Sequence, residues 1–380
     1  MERFTVKSLI ERIKLDKNIN IIAFLLTPWA VHGLEAYLMY LRDRGVCPCG
    51  FVVAVPHPQA GRLLDESSFH FDETENIHVI EVVDTPKYSG DMLKWIVSKQ
   101  VEREIYLISQ GGSIVKWHFL IQGALGDTKV KSVIIDEGIG MYMRTRSDWI
   151  QEMLVNTPSY YLRIRYLLHL LIIQPLSIWC IQMRDGIFYF SLFQKVNREL
   201  RPNSDAIPYY AESISKAGIS FSSTELSNYA GAVVINTQPF EEYHQVLEDE
   251  DLRVFRKICA QCTKVGLRVV LKPHPREKNI LRYQCLENCW IDTNKERTQE
   301  SILLNLETPP CCIIGYTSTT LVTCSLFANI PTASLVKCSD VSKFIGNAKL
   351  DFAAFSRTFS GVLSFPDDIE EFLKMFTKSG

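Results

Sequence analysis

The sequence predicts an α/β protein made of two doubly wound halves, each built on a mostly parallel sheet. Two observations carry this. Short apolar runs alternate with longer stretches of helical period, which is the pattern of strand–helix–strand units. The alternation lapses over a long apolar stretch and then restarts, in a chain of 380 residues that is long enough for two domains.

In order, Ile19 to Leu26 reads as a buried strand, closed by Thr27-Pro28-Trp29 and followed by a helical period over Gly33 to Arg42. Gly50 to Val55, His78 to Val83, Glu104 to Ser109 and Lys131 to Ile135 are the next four strands. The fourth strand ends in Gln110-Gly111-Gly112, and the fifth in Asp136-Glu137-Gly138. Arg144 to Asn203 is read as mainly helical and apolar. The alternation resumes with a strand at Ala232 to Asn236, a long helix over Phe240 to Val265 and a strand at Val269 to Leu271. A short strand around Trp290, a helix over Gln299 to Leu306, a strand at Cys311 to Ile314 and a helix from Ser318 to Phe327 complete the second half. Asp367 to Phe376 reads as a terminal helix that could return to the first domain. The expected boundaries are 1–205 for the N-terminal domain, 206–230 for a linker and 231–380 for the C-terminal domain.

A formal net charge of -2 gives no argument for a nucleic-acid partner. Eleven cysteines without framework spacing are read as reduced thiols of a cytoplasmic protein. Cys259-x-x-Cys262 with Cys285-x3-Cys289 has the elements of a zinc site, but the first pair lies inside a helical pattern with no knuckle turn, so no metal is assigned. Met1 to Lys17 is charged and amphipathic, unlike a secretory signal. Tyr166 to Ile181 is apolar but shorter than a membrane span, is interrupted by His169, Gln174 and Pro175, and follows Arg163 and Arg165. It reads as a plain core helix, as a segment on a membrane surface, or as one packing against a partner subunit such as a second copy.

Three strand ends carry chemistry. At Asp136-Glu137-Gly138, two adjacent acids alternate in direction, so one can face a cleft as a general base while the other anchors the loop. At Leu267 to Glu277 (LRVVLKPHPRE), Pro273 and Pro275 hold Lys272 and His274 rigidly at a carboxyl strand edge, where open α/β sheets bind ligands. At Gly315-Tyr316-Thr317-Ser318-Thr319-Thr320, hydroxyls open a helix, either as simple caps or as a phosphate cradle. Taken singly, a solvated turn, a stiff loop and a cap explain each of these.

Together, in this order and at these strand ends, the acidic pair with glycine, the His-Pro and the Ser-Thr resemble the bacterial sialyltransferases of the two-domain GT-B fold. These are the lipooligosaccharide sialyltransferases (family 52) and their capsular polysialyltransferase relatives. The resemblance rests on three short motifs, and the threonine-rich surroundings of Ser318 leave the acting hydroxyl open. It implies two facing Rossmann-like domains with a cleft between them, and inverting, metal-independent transfer of sialic acid from CMP-sialic acid (CMP-Neu5Ac) to a galactose-type hydroxyl. The acceptor would be a bacterial surface glycan (lipooligosaccharide or lipopolysaccharide, O-antigen or capsule), possibly reached as a lipid-linked chain at the inner face of the cytoplasmic membrane. Asp136, or else Glu137, would be the base and His274 the group on the leaving phosphate. Gly138, Lys272, Pro273, Pro275, Gly315, Thr317, Ser318 and Thr319 would shape the donor site. Thr27 to Gly33 and Gln110 to Ser113 mark the acceptor side. Two alternatives stand beside this reading: a GT-B enzyme using another nucleotide sugar, and a non-catalytic membrane-associated scaffold.

Overall fold

The structure is a computed structural model and describes residues 1–55, 76–84, 103–110, 114–126, 128–136, 138–143, 159–196, 199–216, 223–294 and 298–376, with isolated positions between. Glu137 and 111–113 lie outside the described residues. The chain divides into two compact units, Met1–Ser213 and Ile214–Gly380. The division falls inside 206–230, where helices occupy Ile207–Lys216 and Ser223–Tyr229.

The first unit holds a sheet of seven parallel strands: β1 (Glu2–Phe4), β2 (Ile21–Leu25), β3 (Cys49–Ala54), β4 (Asn76–Val82), β5 (Arg103–Gln110), β6 (Thr128–Ile135) and β7 (Ile187–Phe190). Their order is β1-β4-β3-β2-β5-β6-β7. From β4 onward this is the doubly wound dinucleotide-fold order, reversing between β2 and β5. All of β2 is buried, as a central parallel strand covered on both faces should be. Helix α1 (Val6–Leu15) buries Val6, Leu9 and Ile13, one face of a 3.6 period. Helix α2 (Pro28–Arg42) starts where the sequence suggested only a break: Thr27 is its N-cap and Pro28 its first residue, the position at which a missing N–H costs nothing. Helix α3 (Ile114–Leu125) leads into β6.

The stretch read as mainly helical up to Asn203 divides. Helix α4 (Tyr160–Arg184) is followed by β7 and by a hairpin of β8 (Phe193–Val196) and β9 (Glu199–Pro202). Aromatic and β-branched residues in β7 and β8 favour strands over helix, and β9 is held by its antiparallel pairing with β8.

The second unit repeats the plan with five parallel strands: β10 (Val233–Asn236), β11 (Val269–Lys272), β12 (Cys289–Ile291), β13 (Cys312–Gly315) and β14 (Thr332–Ser334). The order β12-β11-β10-β13-β14 reverses between β10 and β13. The helix expected over Phe240 to Val265 is shorter, with α5 spanning Glu250–Lys264. Ahead of it His244, Glu248 and Asp249 adopt positive φ, and Val246 bridges to Phe344, so the backbone of that segment cannot be helical. α5 buries Leu252, Phe255, Ile258, Cys259 and Cys262 along one stripe. Cys259 and Cys262 are core side chains here. Helices α6 (Gln299–Leu304) and α7 (Thr319–Phe327) follow, and α8 (Asn347–Phe359) has no counterpart in the sequence reading. The terminal helix α9 (Ile369–Lys374) packs Ile369, Phe372 and Leu373 into the core of the second unit, so the alternative of a return to the first domain is not what the chain does.

Candidate active site

The carboxyl edge of the second sheet gathers the residues of interest on three neighbouring strands. Asn236 ends β10 at the point where strand order reverses, between Lys272 at the end of β11 and Gly315 at the end of β13. In doubly wound sheets this crevice is where ligands bind. Asn236 is buried, yet neither its Oδ1 nor its Nδ2 has a hydrogen-bond partner among the described residues. An orphaned buried amide costs about 1–3 kcal/mol per group, so a protein that keeps one needs a reason. Gly315 holds the neighbouring space open: a Cβ there would stand 2.8 Å from the Asn236 carbonyl oxygen and 3.2 Å from its Cβ.

The turn after β11 is locked by a residue the sequence reading passed over. Glu277 is buried and accepts hydrogen bonds from the Thr237 hydroxyl, the Tyr283 hydroxyl and the His274 backbone N–H, the last at 2.6 Å. The His274 N–H also reaches Thr237 Oγ1 at 2.9 Å, and the Glu277 N–H returns to the His274 carbonyl at 2.9 Å. Burial pushes the Glu277 carboxyl up to about 7 despite these donors.

His274 itself is half-buried, and burial, helped by the Arg276 charge, lowers it to about 4. Its Nδ1 accepts the Arg276 N–H at 3.2 Å. The imidazole is therefore neutral near pH 7, with its proton on Nε2. Pro273 is buried and Pro275 exposed, so the two prolines stiffen the turn from opposite sides.

After β13, Tyr316 anchors the hydroxyl-rich segment. Its ring is buried among Phe240, Phe344 and Phe352, its hydroxyl bonds Ser339 at 2.9 Å, and its carbonyl accepts the Ser334 hydroxyl at 2.8 Å. Thr317, Ser318 and Thr319 are left half-exposed. Ser318 caps α7, its Oγ accepting the Thr320 N–H at 3.3 Å. Its hydroxyl proton is still available to donate, so capping and anion binding are compatible.

Lys272 is not part of this edge in the expected sense. Its ammonium is buried and donates to Asp292 Oδ2 at 2.8 Å and to the Asn294 carbonyl, while the Tyr229 hydroxyl donates to the same Asp292 oxygen at 2.6 Å. The lysine stabilises the second unit instead of presenting charge to a ligand. The chain also carries one Asp-x-Asp, Asp249-Glu250-Asp251, but both aspartates bind the Arg282 guanidinium, at 3.0 Å for Asp249 and 3.0 and 3.1 Å for Asp251.

In the first unit Asp136 follows β6 and is fully buried. Its Oδ1 accepts the Tyr142 hydroxyl, its Oδ2 accepts the Leu192 N–H at 2.6 Å, and its own N–H donates to the Tyr210 hydroxyl at 3.1 Å. Burial, together with the Asp136 charge, holds both tyrosines well above the ordinary phenol range, so they remain donors. Asp136, expected to act as the base, has both carboxylate oxygens hydrogen-bonded within the first unit. Gly138 has φ 109°, a turn conformation that suits glycine and few other residues. At the reversal point of this sheet, between β2 and β5, Gln110 links the two strand ends: it accepts the Leu26 N–H at 3.1 Å and donates to Thr27 Oγ1 at 2.9 Å.

The two compact units, each built on a doubly wound parallel sheet, are the α/β architecture expected for a chain of the GT-B fold class. The family model described as alpha-2,8-polysialyltransferase (POLYST) matches residues 67–337, and the chain belongs to that family. It is a sialyltransferase by this membership. A search of the curated proteins gives no match. Among solved structures the chain is similar to the alpha/beta-galactoside alpha-2,3-sialyltransferase of Photobacterium phosphoreum, at 12% identity and TM-score 0.48, covering 91% of this chain and 98% of that one. It is also similar to a sialyltransferase from Photobacterium damsela, at 11% identity and TM-score 0.48, covering 92% and 81%. A putative UDP-N-acetylglucosamine 2-epimerase from Listeria monocytogenes is similar at 9% identity and TM-score 0.45, covering 83% and 79%. Likeness at this level carries no argument about activity.

Proposed function

We propose that the protein transfers sialic acid from CMP-sialic acid, with inversion and without a metal, to a hydroxyl of a glycan. The observation that carries this reading is the unpaired Asn236 amide at the reversal point of the second sheet, flanked by the His274 turn and the Ser318 helix start. That edge offers donors to a leaving phosphate. The Nε2–H of neutral His274, the hydroxyls of Thr317, Ser318 and Thr319 and the start of α7 stabilise charge as the bond from the anomeric carbon to phosphate oxygen breaks. A bound phosphate would raise His274 from about 4, making a proton available to the departing CMP as charge develops.

The acceptor oxygen attacks from the opposite face and loses its proton to the acidic pair. Asp136 has both carboxylate oxygens committed, so we assign the base to Glu137 and the anchoring of the loop to Asp136. Gly138 provides the turn. Asn236 pairs with polar groups of the donor. The family description names an alpha-2,8 linkage, which favours the hydroxyl of a terminal sialic acid as acceptor; a galactose-type hydroxyl is the second reading. Either sugar could end a surface glycan such as a capsule or lipopolysaccharide.

The deciding experiment incubates the protein with CMP-sialic acid and both sialyl- and galactose-terminated oligosaccharides. CMP release is expected with at least one acceptor and is abolished in Glu137→Gln. No release above background with any acceptor sinks the reading. Stabilisation by UDP or GDP but not by CMP would move it to another donor.

Helix α4 supports a membrane-surface location. It has 25 residues and is long and apolar enough to cross a membrane, yet Ser177 and Ile181 are buried and Ile178 and Cys180 pack on the first core. A helix fixed to its own unit along one side, with Leu171, Ile172, Leu176 and Trp179 about half exposed, suits lying on a bilayer better than crossing it. Flotation with anionic liposomes tests this, and a Leu167/Leu168/Leu171→Ser variant that floats as well as the wild type would refute it.

A further inference from the structure

The first unit carries a second recess, away from the carboxyl edge of its sheet. It is a pocket of about 360 Å³ between α2, the middle of β5 and β6 and the start of β7. Lys131 and Ser132 in its wall lie four to five residues before Asp136 on the same strand, roughly 13–17 Å at about 3.3 Å per residue. The recess is therefore distinct from the strand-end chemistry.

Its walls are aromatic. Tyr37 and Tyr40 stack at 5.6 Å between ring centroids, Tyr40 and Phe188 at 5.8 Å, and Tyr106 meets Tyr37 edge-on at 6.3 Å. Phe188 is 43% exposed and packs on Tyr37, Tyr40 and Phe190, so part of its ring is left open to the recess. The polar groups around these rings are matched in charge. Arg44 stacks on the Tyr40 ring at 3.5 Å, Lys131 pairs with Glu104 at 2.8 Å, and Asp185 pairs with His118 at 3.1 Å. Burial lowers the His118 imidazole, so it adds no fixed positive charge of its own. Gln182 accepts the Ile187 N–H at 3.0 Å, which leaves its amide N–H groups to donate into the recess.

We propose that this recess is a saccharide-binding subsite for a neutral pyranose, one that holds the acceptor glycan at a distance from its reacting end. Three properties fit that ligand. Flat aromatic faces suit the C–H faces of a sugar ring. Phenol, amide, ammonium, guanidinium and carboxylate groups at the rim suit its hydroxyls. Arg44, Lys131 and Arg184 are offset by Asp43, Glu104 and Asp185, which gives no preference for a charged sugar. The volume lies at the small end of the range for small-molecule sites, enough for a mono- or disaccharide.

Direct binding tests this without any donor, so the result does not depend on which nucleotide sugar is used. Saturation-transfer NMR on the full chain with lactose should show ring-proton transfer and millimolar saturable binding. Phe188→Ala, at an exposed position, should weaken that binding at least fivefold while melting within a degree or two of the wild type. With an active donor, Phe188→Ala should raise KM for a long glycan and leave kcat for a short acceptor unchanged. Lactose binding that is absent, or equal in Phe188→Ala, overturns the proposal, as does preferential binding of oligosialic acid to this recess.

Discussion

Replacing Glu277 by Gln isolates one ionisation at the heart of the histidine turn. The carboxyl is buried and titrates at about 7 in the folded chain, against 4.5 for the free side chain. Between those pH values the folded state keeps a proton that the unfolded state has released, so stability falls as pH rises from 4.5 to 7 and is flat above. At 1.36 kcal/mol per pH unit the loss across the window is about 3 kcal/mol, or roughly 6–12 °C in melting temperature for a unit of this size. Glutamine keeps the geometry. Its carbonyl can accept from the His274 N–H and Thr237, and its amide can donate to the Tyr283 oxygen once that hydroxyl rotates. The expected result from thermal melts at pH 5, 6, 7 and 8 is a variant whose advantage over the wild type grows from pH 5 to pH 7 and then stops growing. His274 works in the opposite direction, losing stability as pH falls from 6.5 toward 4, but it is present in both proteins and cancels in the difference. An identical pH dependence in the two proteins would refute the reasoning, because the buried proton would then reside elsewhere.

Two further outcomes follow from the same edge. Lys272→Met should cost about 3 kcal/mol in urea unfolding, since it leaves Asp292 buried without its cation, while changing CMP affinity less than threefold. A Lys272→Met/Asp292→Leu pair should recover most of the loss, and a large affinity change with normal stability would restore the lysine to the donor site. Asn236→Ala should leave the free protein as stable as the wild type or slightly more so, because it removes two unpaired polar atoms. The same change should weaken CMP-sialic acid binding by about tenfold in thermal-shift titrations. Lower stability with unchanged donor binding would show that Asn236 is structural.

The strands of both sheets could be read from composition because central parallel strands are continuous apolar runs, as Ile21 to Leu25 and Val233 to Ile235 are. The shortened helix before Glu250 could not, since His244, Glu248 and Asp249 adopt left-handed conformations that their side chains do not announce. β14, three residues long, is too short to show periodicity. At the site, the positions of His274 and Ser318 followed from strand ends, but the work of each side chain did not. Lys272 looked like a phosphate ligand until Asp292, twenty residues later, proved to be its partner. Glu277 stood in the same short stretch as His274 and gave no sign of being its anchor, because its other donors, Thr237 and Tyr283, come from elsewhere in the chain. Asn236 read as the polar end of a strand. Its lack of partners is a property of three strands at once.

The Gln110 side chain that spans the reversal point of the first sheet has a consequence for binding stoichiometry. Two sheets of the same winding order could in principle each hold a nucleotide. Gln110 links Leu26 to Thr27 across the reversal point of the first sheet, whereas at the second the Asn236 amide has no partner among the described residues. A calorimetric titration with CMP should therefore saturate at one nucleotide per chain. A shortened side chain at position 110 is the change by which a second, weaker equivalent would appear.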